Sequence, residues 1–166
     1  MARVLDHSPG MADIFVSHLD WSGSVKGPTR DPATFSRDLD VSLGSLNLPM
    51  SSAPGYRGDP QRTNPEQLFV AALSSCQALT FLYLAARNGV AVVSYTDDAE
   101  GRLALVDGRM RMGSVTLRPR IGLEREEDAD KALALVEKAH QGCFIANSVS
   151  TTVRIEPQAV CLAAKE

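Results

Sequence analysis

The densest apolar run in the chain lies between Leu68 and Ala86, where nearly every residue is apolar or small on every face. A pattern with no polar side predicts a helix buried nearly all round. Its start is written in Asn64-Pro65-Glu66-Gln67. Asn64 is a good N-cap, Pro65 fits the first helical position and Gln67 stands where a capping-box partner belongs. Gly89 is a natural stop. The run nears the length of a membrane span, but Ser74, Ser75, Cys76, Gln77 and Thr80 interrupt its centre and polar sequence flanks it. A core helix is therefore expected, with no membrane partner.

The remaining pattern supplies strands and one further helix. Residues 13–21 alternate irregularly and predict a strand, followed by a turn region rich in glycine and proline. Residues 34–43 alternate Phe35, Arg37, Leu39, Val41 and Leu43 against polar positions, which predicts a second strand. Arg37 stands on its apolar face, so it should be paired or turned toward a cleft. Residues 44–63 read as a long loop of the kind that carries function. After the central helix come a strand over 90–95 and a hairpin of 100–106 with 110–117 about Asp107-Gly108, its second strand running on to Leu123. An acidic start at Glu124 leads into a helix as far as Gln141, and residues 150–160 return as one strand. This order predicts an α+β fold, a curved, mainly antiparallel sheet wrapped around the long central helix. Residues 1–11 look like a loose leader and 12–166 like a single domain. Trp21, Tyr83 and Tyr95 are expected in the core, and His18 is expected to be structural.

Composition narrows the function classes. A net charge of −3 gives no electrostatic reason to expect nucleic acid or an anionic membrane surface. With aromatics at only 5%, base-stacking platforms are also disfavoured. Three widely spaced cysteines do not make a disulfide framework, and the first residues lack the apolar stretch of a signal peptide. A cytoplasmic protein is expected, in which a disulfide would be transient and catalytic.

Cys76 alone reads equally as a packing thiol or a reactive one. With Cys143 it forms the pair that matters. Cys143 follows Gly142 at a helix end, a place expected to be more exposed and mobile than mid-helix. That asymmetry suits a dithiol peroxidase, in which an activated thiolate becomes a sulfenic acid and a second thiol resolves it. Arg37 is the best-placed activating cation, with Arg57 and Arg62 in reserve, and Glu66 could orient the arginine. His140 and Cys143 at i, i+3 make only a weak metal pattern, and His140 is better read as capping helix carbonyls. No metal or cofactor is expected. Cys161, near the chain end, reads as a bystander.

Several of these residues together resemble the OsmC/Ohr family of thiol-dependent peroxidases. The resemblance is carried by Phe35-Ser36-Arg37-Asp38, Arg57-Gly58-Asp59-Pro60, Asn64-Pro65-Glu66-Gln67-Leu68, Ala72-Leu73-Ser74-Ser75-Cys76, Ser94-Tyr95 and the segment from His140 to Val149. It implies that Cys76 is the peroxidatic cysteine and Cys143 the resolving one, with Arg37 and Glu66 around the thiolate. It also implies an organic hydroperoxide substrate, a dithiol reductant such as a lipoylated protein, and an intertwined homodimer with the two central helices at its middle. Glu66 precedes Cys76 by ten residues, roughly 15 Å along a continuous helix, so in that role it would come from the partner subunit. One departure stands out. The resembled branch has histidine directly after the helix cysteine, and here Gln77 stands there, an uncharged amide still able to donate to a thiolate or peroxide oxygen. Two rival readings remain. The first is a cysteine-pair redox sensor or small-ligand binder without efficient turnover. The second is a cysteine hydrolase, which would want a histidine base beside its nucleophile.

Overall fold

The structure, a computed structural model, describes residues 13–161. The expected leader and the side chain of Cys161 lie outside what it describes. The chain forms two compact units that divide between Leu68 and Phe69.

In the first unit, β1 (His18–Asp20), β2 (Leu39–Leu43) and β3 (Leu46–Met50) make an antiparallel sheet in that order. The sequence pattern overstated β2 and hid β3. Residues 31–36 turn instead of extending, because Asp31 accepts the Ala33 amide on its side chain and the Thr34 and Phe35 amides on its carbonyl. The expected loop 44–63 opens with a strand. Gly44, at φ 60°, makes the turn that lets Leu46 pair with Leu43 and Met50 with Leu39. Pro49 is tolerated because β3 is at the edge of its sheet, where a missing N–H costs no ladder bond. The rest of the loop is held tightly. A Cβ on Gly58 would lie 1.5 Å from the Ser52 carbonyl oxygen, so only glycine fits there.

Helix α1 (Pro65–Arg87) begins and ends as its residues dictate. Gln67 N–H donates to Asn64 Oδ1 at 2.9 Å and Asn64 N–H to Gln67 Oε1 at 3.0 Å, a complete capping box. At the other end Gly89 adopts φ 69°, and the Val90 amide returns to the Ala85 carbonyl at 3.0 Å. Burial all round is not what the structure shows. The buried residues Leu73, Gln77, Phe81 and Ala85 recur every fourth position and form one stripe, while Leu79 is 69% exposed. By length and composition α1 could cross a membrane, but this stripe builds it into a protein core.

The second unit holds two three-stranded sheets. One is β4 (Val92–Asp97), β7 (Pro119–Leu123) and β9 (Gln158–Cys161), in that order. The other is β5 (Glu100–Val106), β6 (Arg109–Leu117) and β8 (Thr152–Ile155). The β4–β7 and β5–β6 pairs are antiparallel, and β6–β8 and β7–β9 are parallel. The sequence pattern read 110–123 and 150–160 as one strand each. Each in fact breaks, at Arg118 and at Glu156-Pro157, and passes from one sheet to the other. Both breaks sit beside a proline, which cannot donate to a ladder. Asp97 fixes the first, accepting the Arg118 amide at 2.6 Å and the Ser74 hydroxyl of α1 at 2.5 Å.

Helix α2 (Ala129–Gly142) packs Ala132, Leu135, Val136 and Ala139 with Phe81 and Ala85 of α1 and with Ile121 and Leu123 of β7. A second cluster joins Leu73 of α1 to Val115 and Leu117 of β6, with Ala146 and Val149 against it. Ala146 belongs to the single turn α3 (Phe144–Asn147). The α+β class, with antiparallel-rich sheets and one long helix, is as the sequence predicts.

Candidate active site

The folding of α1, α2 and α3 in the second unit brings Cys76 and Cys143 together. Cys76 is half-buried on α1, one position before the buried stripe residue Gln77. Cys143 ends α2 and starts α3. Its amide donates to the His140 carbonyl at 3.2 Å, and its carbonyl accepts the Asn147 amide at 3.0 Å. Its Sγ accepts the Ala146 amide at 3.5 Å, making the sulfur the N-cap of α3. The Asn147 side-chain amide closes the turn onto the Gln141 carbonyl at 3.0 Å.

The two thiols lie close enough for Cys76 to act on the ionisation of Cys143. Burial first, and the neighbouring Cys76 second, push the Cys143 thiol up to about 11, against the pull of the Ala146 and Ile145 amides. Cys143 therefore keeps its proton at neutral pH. The expectation that Cys143 is the more exposed thiol is overturned, since it is 1% exposed. The chain does not leave the protein after Gly142. It recloses at once as α3, and capping turns the Cys143 side chain inward.

Gln77 stands in the expected place but does not face the thiol. It is fully buried, and its Nε2 donates to the Val136 carbonyl of α2 at 3.1 Å. One residue further along a helix is a rotation of about 100°. Gln77 thus belongs to the α1–α2 contact, while Cys76 looks toward Cys143.

In the first unit Arg37 is held by its own loop. Its Nη1 donates to the Phe35 carbonyl at 2.9 Å and its Nη2 to the Pro32 carbonyl at 2.7 Å, and the guanidinium lies 4.3 Å from the Phe35 ring centre. With Lys26, Asp38, Arg57 and Asp59 it lines a cavity of about 360 Å³. The expected Arg37–Glu66 pair is not formed within this unit, and Glu66 Oε2 is buried without a hydrogen-bond partner. Arg57 is exposed, in the left-handed backbone region at φ 64°. Arg62 lies 3.8–3.9 Å from Asp38, Asp40 and Asp59 and so ties β2 to the loop. His140 contributes its carbonyl to the Cys143 amide.

Two contributors to the site escaped the sequence reading. Ser74 anchors α1 to Asp97 near Cys76, and only its polarity within an apolar run hinted at this. The Ala146 amide bound to Cys143 Sγ is a backbone group, for which no residue pattern gives a signal.

A profile of the OsmC-like protein family matches residues 58–158. The chain belongs to that family. A solved OsmC-like protein of unknown function from Vibrio cholerae is 30% identical, with a TM-score of 0.80 over 88% of this chain and 99% of its own. An organic hydroperoxide resistance protein from Elizabethkingia anophelis shares the OsmC fold at 20% identity, with a TM-score of 0.65 over 92% of this chain and 100% of its own. A Bacillus subtilis protein named as uncharacterised, YmaD, is 24% identical over 72% of this chain and 81% of its own. Both cysteines and the segment around Cys143 fall inside the part matched to the OsmC family.

Proposed function

We propose that this protein is a thiol-dependent peroxidase that reduces organic hydroperoxides through a Cys76–Cys143 disulfide cycle. The observation that carries the reading is that the fold brings together two thiols 67 residues apart in the chain, close enough for one to act on the ionisation of the other. Membership of a family that includes a protein named for organic hydroperoxide resistance supports it.

The Cys76 thiolate attacks the distal peroxide oxygen. The O–O bond breaks, the alcohol leaves with a proton, and Cys76 becomes a sulfenic acid. Cys143 then attacks the Cys76 sulfur, an S–S bond forms, and the hydroxyl leaves as water with the Cys143 proton. A dithiol returns two electrons and two protons and becomes a disulfide. The half-buried Cys76 is the sulfur a peroxide can reach, whereas Cys143 is sealed and protonated. The protein acts as a homodimer in the cytoplasm, its partner covering the apolar residues that one chain leaves exposed.

The test is consumption of cumene hydroperoxide with dithiothreitol, against hydrogen peroxide at equal concentration. Turnover should favour the organic peroxide. Cys76→Ser should abolish it, and Cys143→Ser should stop after one reaction with a trappable sulfenic acid on Cys76. A single slow oxidation without turnover in the wild type would replace this reading with a redox sensor.

A further inference from the structure

The disulfide cycle just described leaves one choice open: which sulfur of the disulfide the reductant attacks. This inference rests on that cycle. Thiol–disulfide exchange depends on access to the attacked sulfur and on the stability of the one that leaves. Access separates the two sulfurs sharply. Cys143 is 1% exposed, whereas Cys76 is half-buried on α1.

Nor is Cys143 free to swing outward. Its amide is bonded to His140, its carbonyl to Asn147, and Asn147 is clamped to Gln141. Ala146, whose amide holds the Cys143 sulfur, is packed against the Leu73, Val115 and Leu117 cluster. The sulfur that stays in place is therefore Cys143, and it already has a donor aimed at it.

We propose that the dithiol attacks the Cys76 sulfur, forming the mixed disulfide there, and that Cys143 leaves in place with its developing charge received by the Ala146 amide. The S–S bond breaks as the new Cys76–sulfur bond forms, and the Cys143 thiolate takes up a proton. The second thiol of the reductant then attacks its own sulfur in the mixed disulfide and releases the Cys76 thiolate, leaving the reductant oxidised by two electrons. The high proton affinity of Cys143 slows its departure, because a weaker acid is a poorer leaving group. Part of that affinity comes from the neighbouring Cys76 thiol, which is no longer a thiol while it is in a disulfide. Ala146 is then a positioning and charge-receiving group for the reductive step.

The experiment forms the disulfide with diamide, which needs no peroxide turnover, and treats the full-length protein briefly with 2-mercaptoethanol, a monothiol with no second thiol to release itself intramolecularly, so that an early quench traps the first adduct. Acid quenching, maleimide labelling and tryptic mapping separate the peptide 63–87, carrying Cys76, from 139–154, carrying Cys143. The expected result is the mercaptoethanol adduct on Cys76 and maleimide on Cys143, by about tenfold or more over the reverse. Equal labelling, the reverse pattern, or no Cys76–Cys143 bond after diamide overturns the inference. The adduct on Cys76 without peroxide turnover would instead sink the peroxidase reading alone. Ala146→Pro removes the amide donor in the first turn of α3, where no helix bond is lost, while also disfavouring helical backbone at Ile145. It should slow adduct formation several-fold while leaving the adduct on Cys76. An unchanged rate would remove Ala146 from the step.

Discussion

At the scale of single residues, two buried groups keep protons they would lose in the unfolded chain. The Cys143 thiol is raised from its ordinary 9.0 to about 11 by burial and by Cys76. Its proton therefore stabilises the fold fully below about pH 9, and that contribution is lost as pH rises from 9 toward 11. Tyr95 follows the same sign. Burial first and Asp97 second push its phenol upward, and its hydroxyl is buried without a hydrogen-bond partner. Urea midpoints should fall above pH 9 in the wild type and fall less steeply in Cys143→Ser. Parallel curves for the two proteins would show that Cys143 contributes nothing to alkaline unfolding. Tyr95→Phe removes an unsatisfied hydroxyl while keeping the ring packed 5.8 Å from Phe81. It should be neutral or stabilising by about 1 kcal/mol at neutral pH, read from the same titration.

Between elements, Gln77 is the instructive side chain. Its amide bridges α1 to the Val136 carbonyl while Oε1 lacks a donor, so it holds the helix pair that delivers Cys76 and Cys143 to each other. Gln77→Ala should cost about 2 kcal/mol through a lost bond and a small cavity. The rate of peroxide attack per folded molecule should stay within about twofold of wild type, because Gln77 faces away from the thiol. A tenfold drop in that rate with stability unchanged would place Gln77 at the reacting atoms after all.

The sequence could identify the residue at position 77 but not its orientation, since rotation around a helix buried on only one stripe is settled by tertiary contacts. The ends of α1 were legible because Asn64, Gln67 and Gly89 act locally. So was the turn at Asp107-Gly108, both at positive φ. The strand β3 was hidden because Pro49 and its polar neighbours look like loop until an edge position makes them acceptable. Cys143 was placed in the right neighbourhood with the wrong burial, because α3 is a single turn whose cap is the cysteine itself.

For the whole molecule, the homodimer proposed above decides which chain can supply Glu66. Phe15 is 90% exposed in the first unit, and in the second Leu79 and Leu105 are each 69% exposed. Glu66 has a buried carboxylate oxygen without a donor, and Arg37 bonds two backbone carbonyls, those of Phe35 and Pro32. Glu66 and Cys76 also lie on one unbroken helix, ten residues and roughly 15 Å apart along its axis. A glutamate side chain does not span that length. If Glu66 acts on the Cys76 thiolate, it must act from the partner subunit. Refolding Glu66→Ala with Cys76→Ser chains tests this, because each parent lacks one group at every site. When the two are mixed equally, half of the dimers combine both chains, and each such dimer holds one complete site if the groups meet across the interface. Peroxide turnover should then recover to about a quarter of the wild-type value, well above either parent. Verified heterodimers that recover nothing would put Glu66 to work within its own chain, where only a bend in α1 could bring it to Cys76.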